Sequence, residues 1–188
     1  MLNPPAGKEP AGIEVIAGHY ARLIREQSPQ AFYLGGFSIG GVTALETARQ
    51  LELQGFPPRK LILLDSVYPR WPLQSAWLFK TLQGLSGLWG FNAISVNGRK
   101  LRAMLTDPGI IQQLAGLSRH SIRPYSGLTL LVMSRRMGCL KHWLFSGWIK
   151  LFGGQLSVDY VPGLHGAMFS GRYLPVLSRA IKRGLRMP

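Results

Sequence analysis

The sequence predicts an α/β fold in which a parallel sheet of about four strands is covered by helices on both faces. Continuous apolar runs of strand length alternate along the chain with amphipathic runs of helix length. The 46% content of hydrophobic residues is sufficient for a substantial core. Because 188 residues suit one compact unit, we expect a single domain over residues 1–188.

The first part of the chain alternates regularly between helix and strand. Apolar side chains recur at helical spacing in Ile13–Gln27, which predicts an amphipathic first helix. The short apolar run Ala31–Leu34 predicts a buried strand, and we expect the glycine pair beginning at Gly35 to interrupt it. Ile39–Gln54 carries the apolar stripe of a second helix, and the continuous apolar run Lys60–Leu64 predicts the second strand.

The alternation breaks between residues 68 and 123, where aromatic residues are frequent and no clear strand is found. We interpret this segment as a helical lid inserted into the domain. The alternation then resumes, and it predicts a strand, a helix, a strand and a final helix at Leu128–Met133, Cys139–Phe152, Leu156–Val161 and Tyr173–Arg186.

Cysteine content and hydropathy exclude several classes of protein. Cys139 is the single cysteine, which excludes an internal disulfide framework and a thiolate metal cluster. We expect neither a metal nor a cofactor. The first ten residues show no signal-peptide pattern, and no uncharged run has the length and apolarity of a membrane span. These observations favour a soluble cytoplasmic protein.

Charge is distributed very unevenly along the chain, whose formal net charge is +14. Residues 1–66 hold six basic and six acidic side chains, whereas the residues after Ser66 hold sixteen basic and two acidic ones. The second part should therefore attract an acidic partner. On electrostatics alone, an acidic protein, a nucleic acid and an anionic membrane fit equally well.

The motif Gly-x-Ser-x-Gly occupies Gly36–Gly40 and lies between a predicted strand and a predicted helix. A serine hydroxyl becomes an effective nucleophile when a sharp turn projects it towards a base. We expect both flanking glycines to permit that turn, since a side chain at either would collide with neighbouring backbone. The first helical N–H groups would face a developing oxyanion. Ser38 is thus a candidate nucleophile, and a glycine-rich turn that binds phosphate or only packs is the alternative.

A nucleophilic serine needs a histidine base, and the chain offers His19, His120, His142 and His165. His165 stands in a glycine-flanked loop directly after the last predicted strand. Loops at the carboxyl ends of parallel strands carry the sites of open α/β sheets. We therefore select His165 as the base, and the alternative is an ordinary surface histidine.

The acid that orients this base should lie between Ser38 and His165, where five carboxylates are available: Glu46, Glu52, Asp65, Asp107 and Asp159. Asp65 ends an apolar strand, where a carboxylate is costly to bury unless it has a partner. Such a carboxylate can accept a hydrogen bond from the histidine and hold its tautomer. We select Asp65, and the alternative is that it caps the next turn through Ser66.

The stretches Tyr33–Gly41, Leu61–Asp65 and Val161–His165 together resemble the thioesterase domains of non-ribosomal peptide and polyketide synthases. These domains form an α/β-hydrolase group. Their catalytic acid follows the serine at the spacing seen here, where Asp65 lies 27 residues after Ser38. The resemblance implies that Ser38 is the nucleophile, Asp65 the acid and His165 the base. It also implies that the backbone N–H of Ile39 donates to the oxyanion.

The resemblance further implies a substrate class and partners. The substrate would be a polyketide, peptide or fatty acyl chain held as a thioester on an acyl or peptidyl carrier protein or on coenzyme A. An acidic carrier protein would suit the basic second part of the chain, and no nucleic acid is expected. Five aromatic residues of the lid would line an acyl channel, with ordinary helix packing as the alternative: Trp71, Trp77, Phe79, Trp89 and Phe91.

The chain departs from the family pattern at its beginning. Family members have further strands before the first helix, including a loop that supplies a second oxyanion donor, and this sequence starts too late to contain them. Loss of that donor predicts a rate lower by roughly 10²–10³. We also expect an unpaired edge at the strand around Phe32–Leu34, available to a pairing partner. The alternative function is a catalytically impaired relative that binds an acidic partner.

Overall fold

The computed structural model describes residues 12–27, 30–66, 68, 117, 120–135, 147–163 and 166–187. The helices are α1 (Ile13–Gln27), α2 (Gly40–Leu53) and α3 (Leu174–Arg186), the strands are β1 (Tyr33–Phe37), β2 (Lys60–Leu64), β3 (Thr129–Ser134) and β4 (Leu156–Val161), and residues 147–152 are also helical. Two short 3-10 turns, Gly153–Gln155 and Ala167–Phe169, precede β4 and α3 respectively. Among these helices, none has the length and hydropathy needed to cross a bilayer.

The four strands form one parallel sheet in the order β1-β2-β3-β4. Their last residues lie near one another in register, with Phe37 beside Leu64 and Leu64 beside Val132. All four strands therefore end at the same edge of the sheet. The predicted α/β fold is confirmed, and this edge is where open α/β sheets build their sites.

Both faces of the sheet are covered, which explains why the central strands β2 and β3 are buried and largely apolar. Leu61, Leu63 and Leu131 pack in one buried cluster with residues of α1, α2 and 147–152. On the opposite face, Ile62 and Leu130 pack against α3. Alternate residues of each strand thus serve two separate cores.

The extent of β1 corrects one prediction. The glycine pair was expected to interrupt the strand after Leu34, but β1 runs through both glycines to Phe37. A Cβ atom on Gly36 would overlap the carbonyl group of Gly40 at the start of α2. The glycine is therefore present because a helix crosses close above it. Within the described sheet β1 pairs with β2 alone, and Tyr33 is 47% exposed.

Other boundaries agree with the predictions to within one or two residues. Of the helix predicted at Cys139–Phe152, residues 147–152 are described and are helical, whereas 139–146 lie outside the described residues. Most of the predicted lid, including 69–116, also lies outside them.

A buried cation ties the sheet to the end of α3. Lys60, at the start of β2, is 3% exposed. Its ammonium group donates to the carbonyl oxygens of Gly184 and Met187 at 2.8 and 2.5 Å. The last carbonyl groups of a helix lack partners within the helix and attract positive charge. Lys60 thus satisfies them and fixes α3 against the sheet.

Candidate active site

Ser38 occupies a sharp turn between β1 and α2. Its φ angle is +54°, a left-handed conformation that is unusual for a residue other than glycine. Its N–H group donates to the carbonyl oxygen of Leu64 at 2.9 Å, so the turn begins where the β1–β2 ladder ends. Strain of this kind is found at functional sites, where surrounding structure enforces it.

The glycines that allow this turn differ in part from those predicted. Gly36 is required, as described above, but a Cβ atom on Gly40 would meet no atom within 4 Å. The second required glycine is Gly41, where a Cβ atom would overlap the hydroxyl group of Ser66. That hydroxyl in turn donates to the carbonyl oxygen of Gly36 at 3.3 Å. The close packing of β1, α2 and Ser66 around this turn therefore requires glycine at positions 36 and 41.

Ile39 follows the serine in a helical conformation, with φ −63° and ψ −30°, and no side chain caps the helix there. The first N–H groups of an α-helix have no acceptor within the helix. The backbone N–H of Ile39 therefore lies directly after Ser38 at the amino-terminal end of α2, which is the positive end of the helix dipole.

Asp65 lies immediately after β2, one position beyond the register partner of Phe37. It is fully buried and also has a left-handed backbone, with φ +46°. Its carboxylate accepts hydrogen bonds from the N–H and the hydroxyl of Ser134, each at 2.8 Å. These contacts connect the carboxylate to the end of β3.

The segment after Asp65 is held by a buried tryptophan. The indole N–H of Trp148 donates to the carbonyl oxygen of Ser66 at 2.6 Å, and the ring of Tyr68 meets the indole edge-on with centroids 5.0 Å apart. Tyr68 also lies directly over Gly147, which leaves no room for a side chain there. The backbone beyond Asp65 is thereby fixed against helical residues 147–152.

The other described candidates have structural partners elsewhere. His19 contacts Arg22 at 3.3 Å. His120 contacts Glu14 at 2.6 Å. Asp159 pairs with Arg183 at 2.6 Å, and Glu52 accepts from Ser126.

Glu46 is buried and pairs with Arg49 at 2.7 Å and with Gln50 at 2.9 Å. Burial would raise the pKa of Glu46, but the hydrogen bonds from Arg49 and Gln50 outweigh it and hold the pKa below 4.5.

The remaining predicted site residues lie outside the described residues. They are the base His165, the candidates His142 and Asp107, and the aromatic residues Trp71, Trp77, Phe79, Trp89 and Phe91. The structure therefore brings Ser38, Ile39 and Asp65 to one edge of the sheet and leaves the other assignments as predictions.

The loop after β4 reaches across this edge to β1. The ring of Phe169 meets that of Phe37 edge-on, with centroids 4.9 Å apart. Gly166 has φ +79°, and a Cβ atom placed on it would lie 3.9 Å from the Phe37 ring. Phe37 immediately precedes Ser38, so residues on the carboxyl side of position 165 lie beside the serine turn.

Sequence reasoning missed the two serines that surround Asp65. Ser66 fills the space between β1 and α2, and Ser134 binds the carboxylate. A signal for Ser134 was present, because it is a polar residue directly after an apolar run, as Asp65 is. Small polar residues at strand ends have many uses, so that signal alone does not identify a partner.

Comparisons with known proteins identify a family for this chain. The Thioesterase domain family matches residues 4–182. The polyketide synthase PksR of Bacillus subtilis is 41% identical over 58 residues, which are 30% of this chain and 2% of PksR. The non-reducing polyketide synthase terA of Aspergillus terreus is 32% identical over 194 residues, which are 89% of this chain and 9% of terA. The chain thus spans a small fraction of the curated relatives it matches.

Among solved structures, the NocB thioesterase domain, in covalent complex with a fluorophosphonate nocardicin G analogue, superposes with a TM-score of 0.68 at 26% identity. The match covers 94% of this chain and 76% of that one. The fold and the serine turn define a protein of the α/β-hydrolase class. The chain belongs to the Thioesterase domain family, of the type found in polyketide and non-ribosomal peptide synthases.

Proposed function

We propose that this protein is a serine thioesterase that releases an acyl chain from a thioester. The Ser38 hydroxyl attacks the thioester carbonyl carbon while His165 accepts its proton, and the carbon–sulfur bond breaks as the protonated histidine gives that proton to the leaving sulfur. Water, or a nucleophile within the acyl chain, then gives a proton to His165 and attacks the acyl-serine ester, and the bond to the Ser38 oxygen breaks as the histidine returns the proton to that oxygen. Asp65 orients the histidine, and the N–H of Ile39 stabilises the oxyanion.

One observation carries this proposal. Ser38 and Asp65 both have a positive φ angle. They directly follow Phe37 and Leu64, which are register partners at the ends of β1 and β2. Two strained residues other than glycine at one edge of a sheet are typical of a functional site.

Two further observations support His165 as the base. The edge-on contact of Phe169 with Phe37 holds the chain following position 165 against the serine turn. Of the alternative histidines that the structure describes, His120 is 3% exposed and pairs with Glu14 of α1, and His19 lies on α1 beside Arg22.

The exposed face of α3 supports an acidic carrier protein as the donor of the acyl chain. Arg179, Lys182 and Arg186 are all exposed on this helix, and Arg172 precedes it. Reversing two of these charges, in the variant Lys182→Glu/Arg186→Glu, should raise KM for an acyl chain on a carrier protein and leave KM for a small thioester unchanged. Equal KM values for the carrier substrate would count against this partner. Binding to anionic vesicles or DNA instead would favour the other acidic partners.

Hydrolysis of acyl thioesters by the wild type and by Ser38→Ala tests the proposal directly. We expect the variant to lose at least about 10³-fold in kcat. The exposed Ser178→Ala on α3 serves as the matched control and should retain the wild-type rate. A fluorophosphonate of the class bound by NocB should label the wild type at Ser38 only. Equal rates for wild type and Ser38→Ala would overturn the proposal in favour of a binding module.

A further inference from the structure

The end of β3 makes a close polar contact with the buried carboxylate of Asp65. Ser134 and Asp65 are both 0% exposed. The Ser134 N–H donates to Oδ1 at 2.8 Å, and the hydroxyl lies 3.0 Å from Oδ1 and 2.8 Å from Oδ2. One residue thus contacts both oxygens of the carboxylate.

The backbone explains why this contact forms. The Asp65 N–H donates to the carbonyl oxygen of Val132 at 2.7 Å, which continues the parallel ladder between β2 and β3. In an uninterrupted ladder, the N–H of Ser134 would next donate to the carbonyl of Asp65. Because Asp65 turns away at φ +46°, its carboxylate takes the place of that carbonyl. The N–H contact therefore requires no particular side chain on β3, whereas the hydroxyl contact requires Ser or Thr.

We propose that Ser134 is a positioning residue that orients the Asp65 carboxylate towards the catalytic histidine. This inference rests on the proposed function, in which Asp65 orients His165. With the N–H fixing Oδ1 and the hydroxyl engaging Oδ2, the carboxylate cannot rotate about its Cβ–Cγ bond without losing a hydrogen bond. Both donors also favour the ionised form in a site without water contact.

Other charged groups on the surrounding elements lie elsewhere or have their own partners. Lys60 is at the opposite end of β2 and binds the end of α3. Arg135 follows Ser134 and is exposed, and Asp159 on β4 pairs with Arg183. Ser134 is therefore the principal described donor to the Asp65 carboxylate, and His165 is the proposed titratable neighbour.

Steady-state kinetics on Ser134→Ala tests the role, because this variant removes the hydroxyl and keeps the N–H. We expect kcat to fall about tenfold with KM unchanged, and the acidic limb of the kcat profile to move to higher pH. Ser134→Thr should retain most of the activity. Thr129→Val removes a buried hydroxyl at the other end of β3 and is the control, with an unchanged pH profile. Unchanged kcat and pH profile in Ser134→Ala would overturn the inference.

A second measurement needs no catalysis and so separates this inference from the proposed function. The chain has three aspartates, Asp65, Asp107 and Asp159, so carboxyl ¹³C labelling of aspartate gives three resonances, and Asp65→Asn assigns one of them. We expect the Asp65 resonance to titrate at higher pH in Ser134→Ala than in the wild type and at a similar pH in Ser134→Thr. If Ser38→Ala keeps full activity, the proposed function fails, and the titration of Asp65 alone then tests whether Ser134 acts on its carboxylate. An Asp65 titration that is the same in Ser134→Ala and the wild type would overturn the inference about Ser134.

Discussion

The ring of Phe169 packs edge-on against the ring of Phe37, with centroids 4.9 Å apart and an interplanar angle of 90°. Phe37 is the last residue of β1, and Phe169 lies after β4. β1 and β4 are the two outermost strands of the described sheet. The segment after β4 therefore reaches β1. This contact joins the serine turn to the part of the chain that carries the proposed base.

Removing the Phe169 ring should impair catalysis more than stability. The side chain is 44% exposed, so Phe169→Ala removes less buried area than truncation of a core residue would. Without the edge-on contact the loop loses its fixed position, and we expect kcat to fall about tenfold with a small change in melting temperature. Leu174→Ala, on a side chain that is 50% exposed at the start of α3, is the control for steady-state kinetics. Equal kcat in both variants would show that the ring contact does not position the loop.

Two neighbouring glycines should differ in how well they tolerate alanine. In Gly41→Ala the new methyl group overlaps the Ser66 hydroxyl, so we expect a loss of about 1–3 kcal/mol in the free energy of unfolding. Gly40→Ala enters open space and should change stability by less than about 1 kcal/mol. Chemical denaturation measures both. The double variant Gly41→Ala/Ser66→Gly removes the obstructing side chain and should recover part of the loss, and no recovery would contradict this explanation.

The buried carboxylate of Glu46 should make stability depend on pH. Its pKa in the folded protein lies below 4.5, so its contribution is present above pH 4.5 and is lost as the pH falls through the folded-state pKa. Glu46→Gln should therefore lower the free energy of unfolding by about 1–3 kcal/mol at pH 7. The difference from wild type should shrink below pH 4.5.

Glu26→Gln is the matched control for Glu46→Gln, since Glu26 pairs with Arg22 on the exposed face of α1. We expect a change below about 1 kcal/mol at pH 7 for this exposed pair. A difference between Glu46→Gln and wild type that stays constant from pH 7 to pH 3 would contradict the assignment.

Replacing Lys60 by methionine should loosen the end of α3. The variant keeps the aliphatic chain but leaves the carbonyl groups of Gly184 and Met187 without their donor. We expect a loss of about 1–3 kcal/mol in the free energy of unfolding and faster hydrogen exchange in the last turn of α3. Lys182→Met changes an exposed lysine of α3 and should have little effect on either measurement. Similar losses in the two variants would argue against a special role for Lys60.

Hydrophobic patterning predicts the fold well here because both faces of the sheet are covered. β2 and β4 begin and end at the predicted residues, and in β2 the apolar run coincides with the buried length of the strand. β1 was misjudged because glycine has two uses that look alike in a sequence. At Gly36 it makes room for a crossing helix and does not end the strand.

The candidate site is predictable only to the extent that chemistry restricts residue type. Ser38 and Asp65 stand out because a motif and a buried strand end identify them. The partners Ser66 and Ser134 depend on which strands are neighbours and on a backbone turn at Asp65, and a one-dimensional pattern shows neither.

The left-handed backbone at Ser38 and Asp65 bears on whether the protein has kept its chemistry. A side chain other than glycine in this conformation costs on the order of 1 kcal/mol. Glycine at either position would relieve that cost. We therefore expect Ser38→Gly to have a higher denaturation midpoint than Ser38→Ala. The same two substitutions at an exposed serine give the reference difference in midpoint. A lineage that needed only a stable docking surface would gain from such a replacement. Serine and aspartate at these two positions therefore fit the proposed catalytic function better than a role in binding alone.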